Sequence, residues 1–385
     1  MSMSDHPKSG GAEPSDQDAG LPLLEPTTFL KRFLHHDLVG SGVLLLASVA
    51  AILIVNFGGL DWYHHFWHIE FGFAYQDRAV DKTLHHWVND GLMAIFFFLV
   101  GLEIKRELLA GELASVRRAL LPAAAAIGGM AVPAAVYAAL NYGGEGAHGW
   151  GVPMATDIAF AAGCLALLKR WINPALMVFL VALAIVDDLG AVAVIAVFYT
   201  ETIEVRPLMI GATLIIFSFM LGQFGVRAMW PYVLLGIVIW VEFVESGIHA
   251  TVAGVLLALS IPHTARYRTH NFTKRMRELL GRFDEAEKLW PEQDRKRIHE
   301  VIVNRRQQSL LRNMEAEVQN VEAPLQRIEH NIEPFVVFAI LPIFAFANAG
   351  VHVEWSEIGH TISERVTMGT GLGLFLGKPL GIFLA

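Results

Sequence analysis

The chain has 385 residues, of which 54% are hydrophobic and only 17% are charged, and its mean hydropathy is +0.46. Soluble proteins carry roughly 25% charged residues, so this composition argues against a globular cytosolic enzyme. The net charge of −8 argues against a nucleic-acid-binding protein, and a single cysteine, Cys164, excludes a disulfide scaffold or a multi-cysteine zinc site. These exclusions leave a membrane protein with several spans.

The first part of the chain, residues 1–26, is polar and rich in Ser, Asp, Gly and Pro. It contains no charged segment that leads directly into an apolar run, so it does not have the pattern of a cleaved signal peptide. We interpret it as a disordered cytoplasmic tail.

Ten apolar stretches follow, and most of them approach the length of about 17–25 residues that a helix needs to cross a bilayer. They are Leu38–Phe57, Trp87–Leu102, Ala119–Asn141, Pro153–Leu168, Pro174–Thr200, Leu208–Phe224, Trp230–Phe243, Gly247–Pro262, Pro334–Val351 and Val366–Ala385. The fourth, seventh and eighth are short for a straight crossing. Short or broken segments are typical of the binding sites of transporters.

The loops between these stretches differ in their content of lysine and arginine. Cations concentrate before the first span and in the loops after the second, fourth and sixth spans, whereas the intervening loops hold few. Cytoplasmic loops carry an excess of cations, so the pattern places the N-terminus in the cytoplasm. The chain then divides into spans 1–8 over residues 27–262, a charged cytoplasmic insert with one or two amphipathic helices over residues 263–333, and spans 9–10 over residues 334–385.

The loop between the first two spans contains the aromatic stretch Phe66–Phe73, in which polar and apolar residues alternate from His68 onward. This alternation is typical of a short strand, which can pair with a second strand as a hairpin. The stretch is either an aromatic patch at the membrane interface or a contact between two copies of the chain.

Charged residues inside the predicted spans are the most informative feature of the sequence, because a charge at mid-bilayer costs roughly 2.5–3.5 kcal/mol. Asp187 and Asp188 lie in the middle of the fifth span, and the fourth span adds Thr156 and Asp157 across a short connection. Neighbouring residues on a helix point about 100° apart. One of the two adjacent aspartates can therefore face a partner while the other faces a water-filled cavity.

The last span contains Lys378, which needs an acidic partner, and Asp187 or Asp188 is the natural candidate. Oxygen ligands suit hard cations such as sodium, and a carboxylate cluster can hold either a proton or a cation. That competition is the minimum chemistry for exchanging one for the other. The alternative interpretation is a buried ion-pair network that only fixes helix packing.

A second group of charges lies at the cytoplasmic end of the second span and consists of Glu103, Lys105, Arg106 and Glu107. This group is either an interfacial anchor or a pH-sensing region. His249, at the start of the eighth span, is either a packing residue or a proton sensor.

Six stretches together resemble the NhaA-type sodium/proton antiporters of bacteria, and they occur in the order of that family. They are Asn89–Leu108, Ala155–Leu168, Ala182–Thr200, Ser246–Gly254, Leu341–Gly350 and Gly377–Ile382. The resemblance implies an all-α membrane fold with inverted repeats and discontinuous helices. It also implies an electrogenic, pH-activated antiporter of the bacterial inner membrane, which is not an enzyme and uses no cofactor beyond the transported Na⁺ or Li⁺ and protons.

The resemblance implies roles for the charged residues of the spans. Asp188 would be the main sodium and lithium ligand, and Asp187 would carry protons beside it and pair with Lys378, so that both carboxylates belong to the Na⁺ site. Asp157 and Thr156 would lie at the crossing of a broken helix and balance the ends of its two halves.

The resemblance assigns further roles outside the ion site. Glu103 and its three charged neighbours would form the pH-responsive region, and His249 would modulate it. The family usually forms a homodimer through the outer hairpin, which favours a dimer contact near Phe66–Phe73.

Two features depart from the family. The insert before the ninth span is longer than the loop of the best-known members, and the chain ends at Ala385, inside the span that contains Lys378, where family members continue through two further helices. The alternative function is therefore a truncated membrane relative that folds or dimerises without exchanging ions.

Overall fold

The computed structural model of the protein describes residues 26–75, 78–156, 171–200, 203–264, 269–288, 305–354 and 356–385. The described chain is almost entirely helical. Its helices are α1 (Pro26–Ile54), α2 (Leu60–Trp67), α3 (Leu84–Ala110), α4 (Val116–Asn141), α5 (Pro174–Phe198), α6 (Val205–Gln223), α7 (Trp230–Ser246), α8 (Ala250–Ser260), α9 (Thr269–Lys288), α10 (Arg305–Val321), α11 (Pro324–Asn348), α12 (Ile358–Ser363) and α13 (Arg365–Leu384).

Seven helical units in these ranges are long and apolar enough to cross a membrane: α1 with α2, α3, α4, α5, α6, α11 and α13. They coincide with the first, second, third, fifth, sixth, ninth and tenth predicted spans. The seventh and eighth correspond to α7 and α8, which have 17 and 11 residues and are short, as their sequences indicate. Most of the fourth predicted span, Pro153–Leu168, lies outside the described residues.

The ends of the central helices follow from local sequence. Asn173 caps the start of α5, because its side chain accepts a hydrogen bond from the Ala175 amide at 3.0 Å, and Pro174 occupies the first turn. Helix α7 ends at Gly247, whose φ of 78° is a left-handed conformation that glycine adopts without strain.

The aromatic stretch of the first outer loop forms part of a two-stranded hairpin. Strand β1 (Glu70–Tyr75) pairs antiparallel with β2 (Arg78–Thr83), and Phe71 lies opposite Lys82. The Trp87 indole on α3 donates a hydrogen bond to the Phe71 carbonyl at 2.7 Å and ties the hairpin to the helices. The strand begins at Glu70, two residues later than the alternating pattern from His68 suggests, because His68 still closes the last turn of α2: its amide donates to the His64 carbonyl at 3.1 Å.

Helices α4 and α13 cross in close contact along a row of glycines at every fourth position of α13, Gly369, Gly373, Gly377 and Gly381. Each faces α4: a side chain on Gly381 would place its Cβ 2.1 Å from the Gly128 carbonyl oxygen, and one on Gly377 would lie 3.0 Å from the Pro133 Cα. Small residues at such spacing let membrane helices approach each other closely. Lys378 directly follows one of these glycines, so the contact also positions the lysine.

We expect Gly381→Ala to destabilise the protein, because the added methyl group overlaps the backbone of α4 and overpacking costs about 1–3 kcal/mol. Thermal unfolding in detergent should show a lower melting temperature. Gly371→Ala is the matched control, because its Cβ meets no atom within 4 Å. Equal melting temperatures for the two variants would contradict the close crossing.

The described residues of the predicted insert, 263–333, include α9, α10 and the first turns of α11. Helices α9 and α10 pack against each other and share an ion pair between Arg275 and Glu317 at 3.0 Å. The Leu325 amide donates to the Pro262 carbonyl at 3.2 Å, so α11 starts beside the residues that follow α8. Helix α11 begins well before the predicted start of the ninth span at Pro334. Its first turns are amphipathic, with Leu325 and Ile328 buried against Leu102, and a hydropathy window does not detect this pattern.

Candidate functional site

The two adjacent aspartates of α5 are both buried, with 4% of Asp187 and 8% of Asp188 exposed. Helix α5 lies between α3 and α4. On one face Ile185 packs against Val100 and Ile104 of α3, and on the other Leu183 packs against Ala125 and Ala126 of α4.

The helical period separates the directions of the two carboxylates. Asp188 lies three residues after Ile185 and therefore on the face toward α3. On α3, Glu103 is within electrostatic reach of Asp188. Asp187 lies four residues after Leu183, on the face toward α4, where α13 crosses.

The structure pairs Lys378 with Asp187. The Lys378 ammonium donates to Asp187 Oδ2 at 2.7 Å and to the Met154 carbonyl at 2.5 Å. The Thr156 hydroxyl donates to the same Asp187 oxygen. Three of the predicted site residues, Thr156, Asp187 and Lys378, therefore meet at one point, and Asp157 lies outside the described residues.

One oxygen of this cluster has spare accepting capacity. Asp187 Oδ1 is buried and accepts no hydrogen bond from the described part of the chain. A buried carboxylate oxygen without a donor is costly, and a proton or a hard cation would satisfy it. Within the described ranges, no group of three or more His, Cys, Asp or Glu side chains is arranged to hold a metal ion. The Asp187–Lys378 pair instead contacts the Thr156 hydroxyl, which donates to Asp187, and the Met154 carbonyl, which accepts from Lys378.

The Met154 carbonyl is available because the chain before Thr156 is not α-helical. Residues Glu145–Met154 form a 3₁₀ helix, and Ala155 follows in an extended conformation with φ −64° and ψ 147°. A non-helical backbone leaves some carbonyl groups without hydrogen-bond partners inside the segment. A membrane protein tolerates such a segment only where other groups hydrogen-bond to these carbonyls. Sequence reasoning missed this ligand of Lys378, since a backbone carbonyl has no residue signature; the signal in the sequence was that the fourth stretch is short for a straight crossing.

The second group of charges lies where α3, α8 and α11 meet. Arg106 pairs with Glu329 of α11 and lies 3.4 Å from Glu107. Lys105 donates to the carbonyls of Leu259 and Ile261, at 2.5 Å each, and so places a cation at the C-terminal end of α8. Electrostatic interactions connect Glu103 with both Arg106 and Glu329.

Glu329 is not among the predicted site residues, because the sequence places its segment in the charged cytoplasmic insert. The residue is buried and belongs to the first turns of α11. Leu325, Ile328 and Glu329 are spaced as i, i+3 and i+4, which places them on one face of a helix. This spacing is the signal that could have identified Glu329 as a buried residue.

The structure does not group His249 with these charges. His249 is exposed at the start of α8 and makes no side-chain cap there. Lys105 contacts the other end of the same helix, about 16 Å away for an 11-residue helix.

Comparison with known proteins gives consistent matches over most of the chain. The family model described as Na⁺/H⁺ antiporter 1 matches residues 31–385. A relative from Sulfurimonas denitrificans, named Na(+)/H(+) antiporter NhaA, is 43% identical over 357 residues, which cover 92% of this chain and 78% of the relative. A protein of the same name from Wolinella succinogenes is 44% identical over 355 residues, which cover 92% of this chain and 76% of the relative. A third, from Oleidesulfovibrio alaskensis, is 44% identical over 376 residues, covering 97% of this chain and 80% of the relative.

Proposed function

The chain belongs to the Na⁺/H⁺ antiporter 1 family, and from this premise we propose that it exports sodium or lithium ions in exchange for protons across the bacterial inner membrane. The observation that carries the proposal is the pair of buried carboxylates on α5, one of which is held by a lysine from another helix and keeps an open oxygen.

In the proposed mechanism Asp188 is the principal ligand of the cation, and Asp187 releases and takes up protons beside it. Lys378 neutralises Asp187 when no cation is bound, and Thr156 and Met154 hold the carboxylate and the lysine in place. Asp157 completes the charge balance next to Thr156. A sodium ion and protons compete for the same carboxylates, so binding of one requires release of the other.

We also assign the finer features of the family to this chain. Exchange is electrogenic and proceeds by alternating access, through a fold with inverted repeats, discontinuous helices and about ten spans in this sequence, with the N-terminus in the cytoplasm. The hairpin of β1 and β2 forms the contact of a homodimer. No cofactor takes part, and the transported ions are the only small ligands.

The charges around Arg106 form the pH-responsive region of the proposed antiporter. The arrangement supports this role because Arg106 pairs with Glu107 on α3 and with Glu329 on α11. Glu103 interacts electrostatically with Arg106, Glu329 and Asp188. A protonation change in the group can therefore reach the ion site through one helix. His249 modulates the response from the opposite end of α8.

We expect Arg106→Ala to displace the pH at which exchange reaches half its maximal rate, because the substitution removes the cation between Glu107 and Glu329. The measurement is the rate of sodium-dependent proton movement in vesicles at a series of pH values. Arg312→Ala, at an exposed position of α10, is the control. An unchanged pH profile in Arg106→Ala would count against this assignment.

The proposed function is tested in everted membrane vesicles that are energised to an acid interior and carry the protein as its gene encodes it. Addition of sodium or lithium should dissipate the proton gradient, followed with a fluorescent dye, and potassium should not. A well-inserted protein that responds to none of these ions would contradict the proposal and favour a relative that does not transport.

A further inference from the structure

Tyr199, at the C-terminal end of helix α5, makes hydrogen bonds to the 3₁₀ segment Glu145–Met154. The Tyr199 hydroxyl donates a hydrogen bond to the His148 carbonyl at 2.8 Å and accepts one from the Gly151 amide at 2.9 Å. The Trp150 ring lies against Tyr199, with ring centroids 6.2 Å apart. One side chain thus holds two backbone groups of the segment.

Two other helices fix the same segment. On α4, Tyr137 is only 1% exposed, and its hydroxyl donates to the Gly146 carbonyl at 2.8 Å. On α13, Gly373 lies so close to Pro153 that a Cβ would approach the proline Cβ to 2.9 Å. The segment therefore contacts α4, α5 and α13. Asp187 lies on α5, Lys378 lies on α13, and α4 packs against both helices.

The C-terminal end of the segment reaches the proposed ion site. The Met154 carbonyl accepts a hydrogen bond from Lys378, and the Thr156 hydroxyl donates one to Asp187. Gly151 precedes Met154 by three residues, or about 6 Å at the rise of a 3₁₀ helix. Tyr199 itself lies 12 residues after Asp187 on α5, about 18 Å along the axis. It cannot touch an ion bound at Asp187, so any effect it has must pass through the segment.

We propose that Tyr199 is a positioning residue for cation exchange: its two hydrogen bonds set the position of the Met154 carbonyl and the Thr156 hydroxyl, and through them the charge state and geometry of the Asp187–Lys378 pair. This inference rests on the proposed function. It assigns a role to a residue that contacts neither ion.

The test is Tyr199→Phe, which keeps the ring against Trp150 and removes both hydrogen bonds. The half-saturating sodium concentration for exchange in everted vesicles should rise roughly three- to tenfold, because two hydrogen bonds that hold the ligands are lost. The maximal rate per inserted molecule should stay near that of the unmodified protein. A merely structural role would lower the amount of active protein and hence the maximal rate, without changing half-saturation.

A second variant perturbs the same contact from the other side. In Gly151→Ala the new Cβ would meet the Tyr199 hydroxyl oxygen at 2.7 Å, so the same rise in half-saturation is expected. Tyr142→Phe is the control for the tyrosine, since Tyr142 is 87% exposed in the same loop. Gly144→Ala is the control for the glycine, because its Cβ would meet only the Asn141 carbonyl, at an ordinary 3.5 Å.

The outcomes separate this inference from the function on which it rests. If the unmodified protein shows no sodium-dependent exchange, the proposed function fails and the inference fails with it. If the unmodified protein is active and both Tyr199→Phe and Gly151→Ala keep its half-saturation, or change it no more than their controls do, only the inference is overturned. A raised half-saturation in both variants supports it.

Discussion

Sodium-dependent and lithium-dependent proton movement is expected to disappear in Asp188→Asn. Asparagine has almost the shape of aspartate, but it carries no charge to bind a cation and has no proton to release. Asp188 is buried on the face of α5 toward α3, so the substitution removes the charge at the proposed site itself. The rate in everted vesicles should fall to that of vesicles without the protein.

The control for this variant is Asp61→Asn, in the exposed first turn of α2. It removes the same charge at a residue beyond the first predicted span, Leu38–Phe57, and outside the proposed ion site, and it should retain exchange. Both variants must be present in the membrane in equal amounts, as judged on blots. Exchange that survives in Asp188→Asn would show that the principal cation ligand has been assigned to the wrong residue.

Lys378→Ala is expected to lower both the stability of the protein and its transport. The substitution leaves Asp187 as an unpaired charge in a site where the two side chains are 5% and 14% exposed. Breaking a buried ion pair from one side typically costs about 3–5 kcal/mol. Thermal unfolding in detergent should therefore show a clearly lower melting temperature.

A double variant separates loss of the pair from loss of packing. Lys378→Ala with Asp187→Asn removes both charges, so a large part of the lost stability should return, although exchange should not. Lys274→Ala, at an exposed position of α9, is the control for removal of a lysine. If the single and the double variant melt at the same temperature, the Asp187–Lys378 pair does not stabilise the fold.

Much of the architecture could be predicted from composition and hydropathy. Long apolar runs must be helical in a bilayer, since every backbone group needs an internal partner, and this rule located seven helical spans in the described ranges. It failed at the start of α11. There, charged residues such as Glu329 share turns with buried Ile328, and an average over a window hides the apolar face.

The charged residues of the site could be found because aspartate and lysine are costly in a membrane span, but their pairing could not be worked out from the residue pattern. That pattern left both Asp187 and Asp188 as candidates for Lys378, and only the resemblance to the antiporters implied Asp187. The choice depends on the rotation of α5 and on the close crossing of α4 and α13 along their glycines, which are tertiary features. Lys378 donates to the Met154 carbonyl, and Tyr199 hydrogen-bonds to the backbone of the 3₁₀ segment. Because both contacts are made to backbone groups, no pattern of residue types reveals them.

The central claim is that one carboxylate site holds either a cation or protons. It is tested most directly by adding sodium chloride to the purified protein in weakly buffered detergent solution and recording the protons released. We predict release with sodium and lithium, none with potassium, and none with sodium from Asp188→Asn. Sodium binding without proton release, or equal release from Asp188→Asn, would contradict the claim.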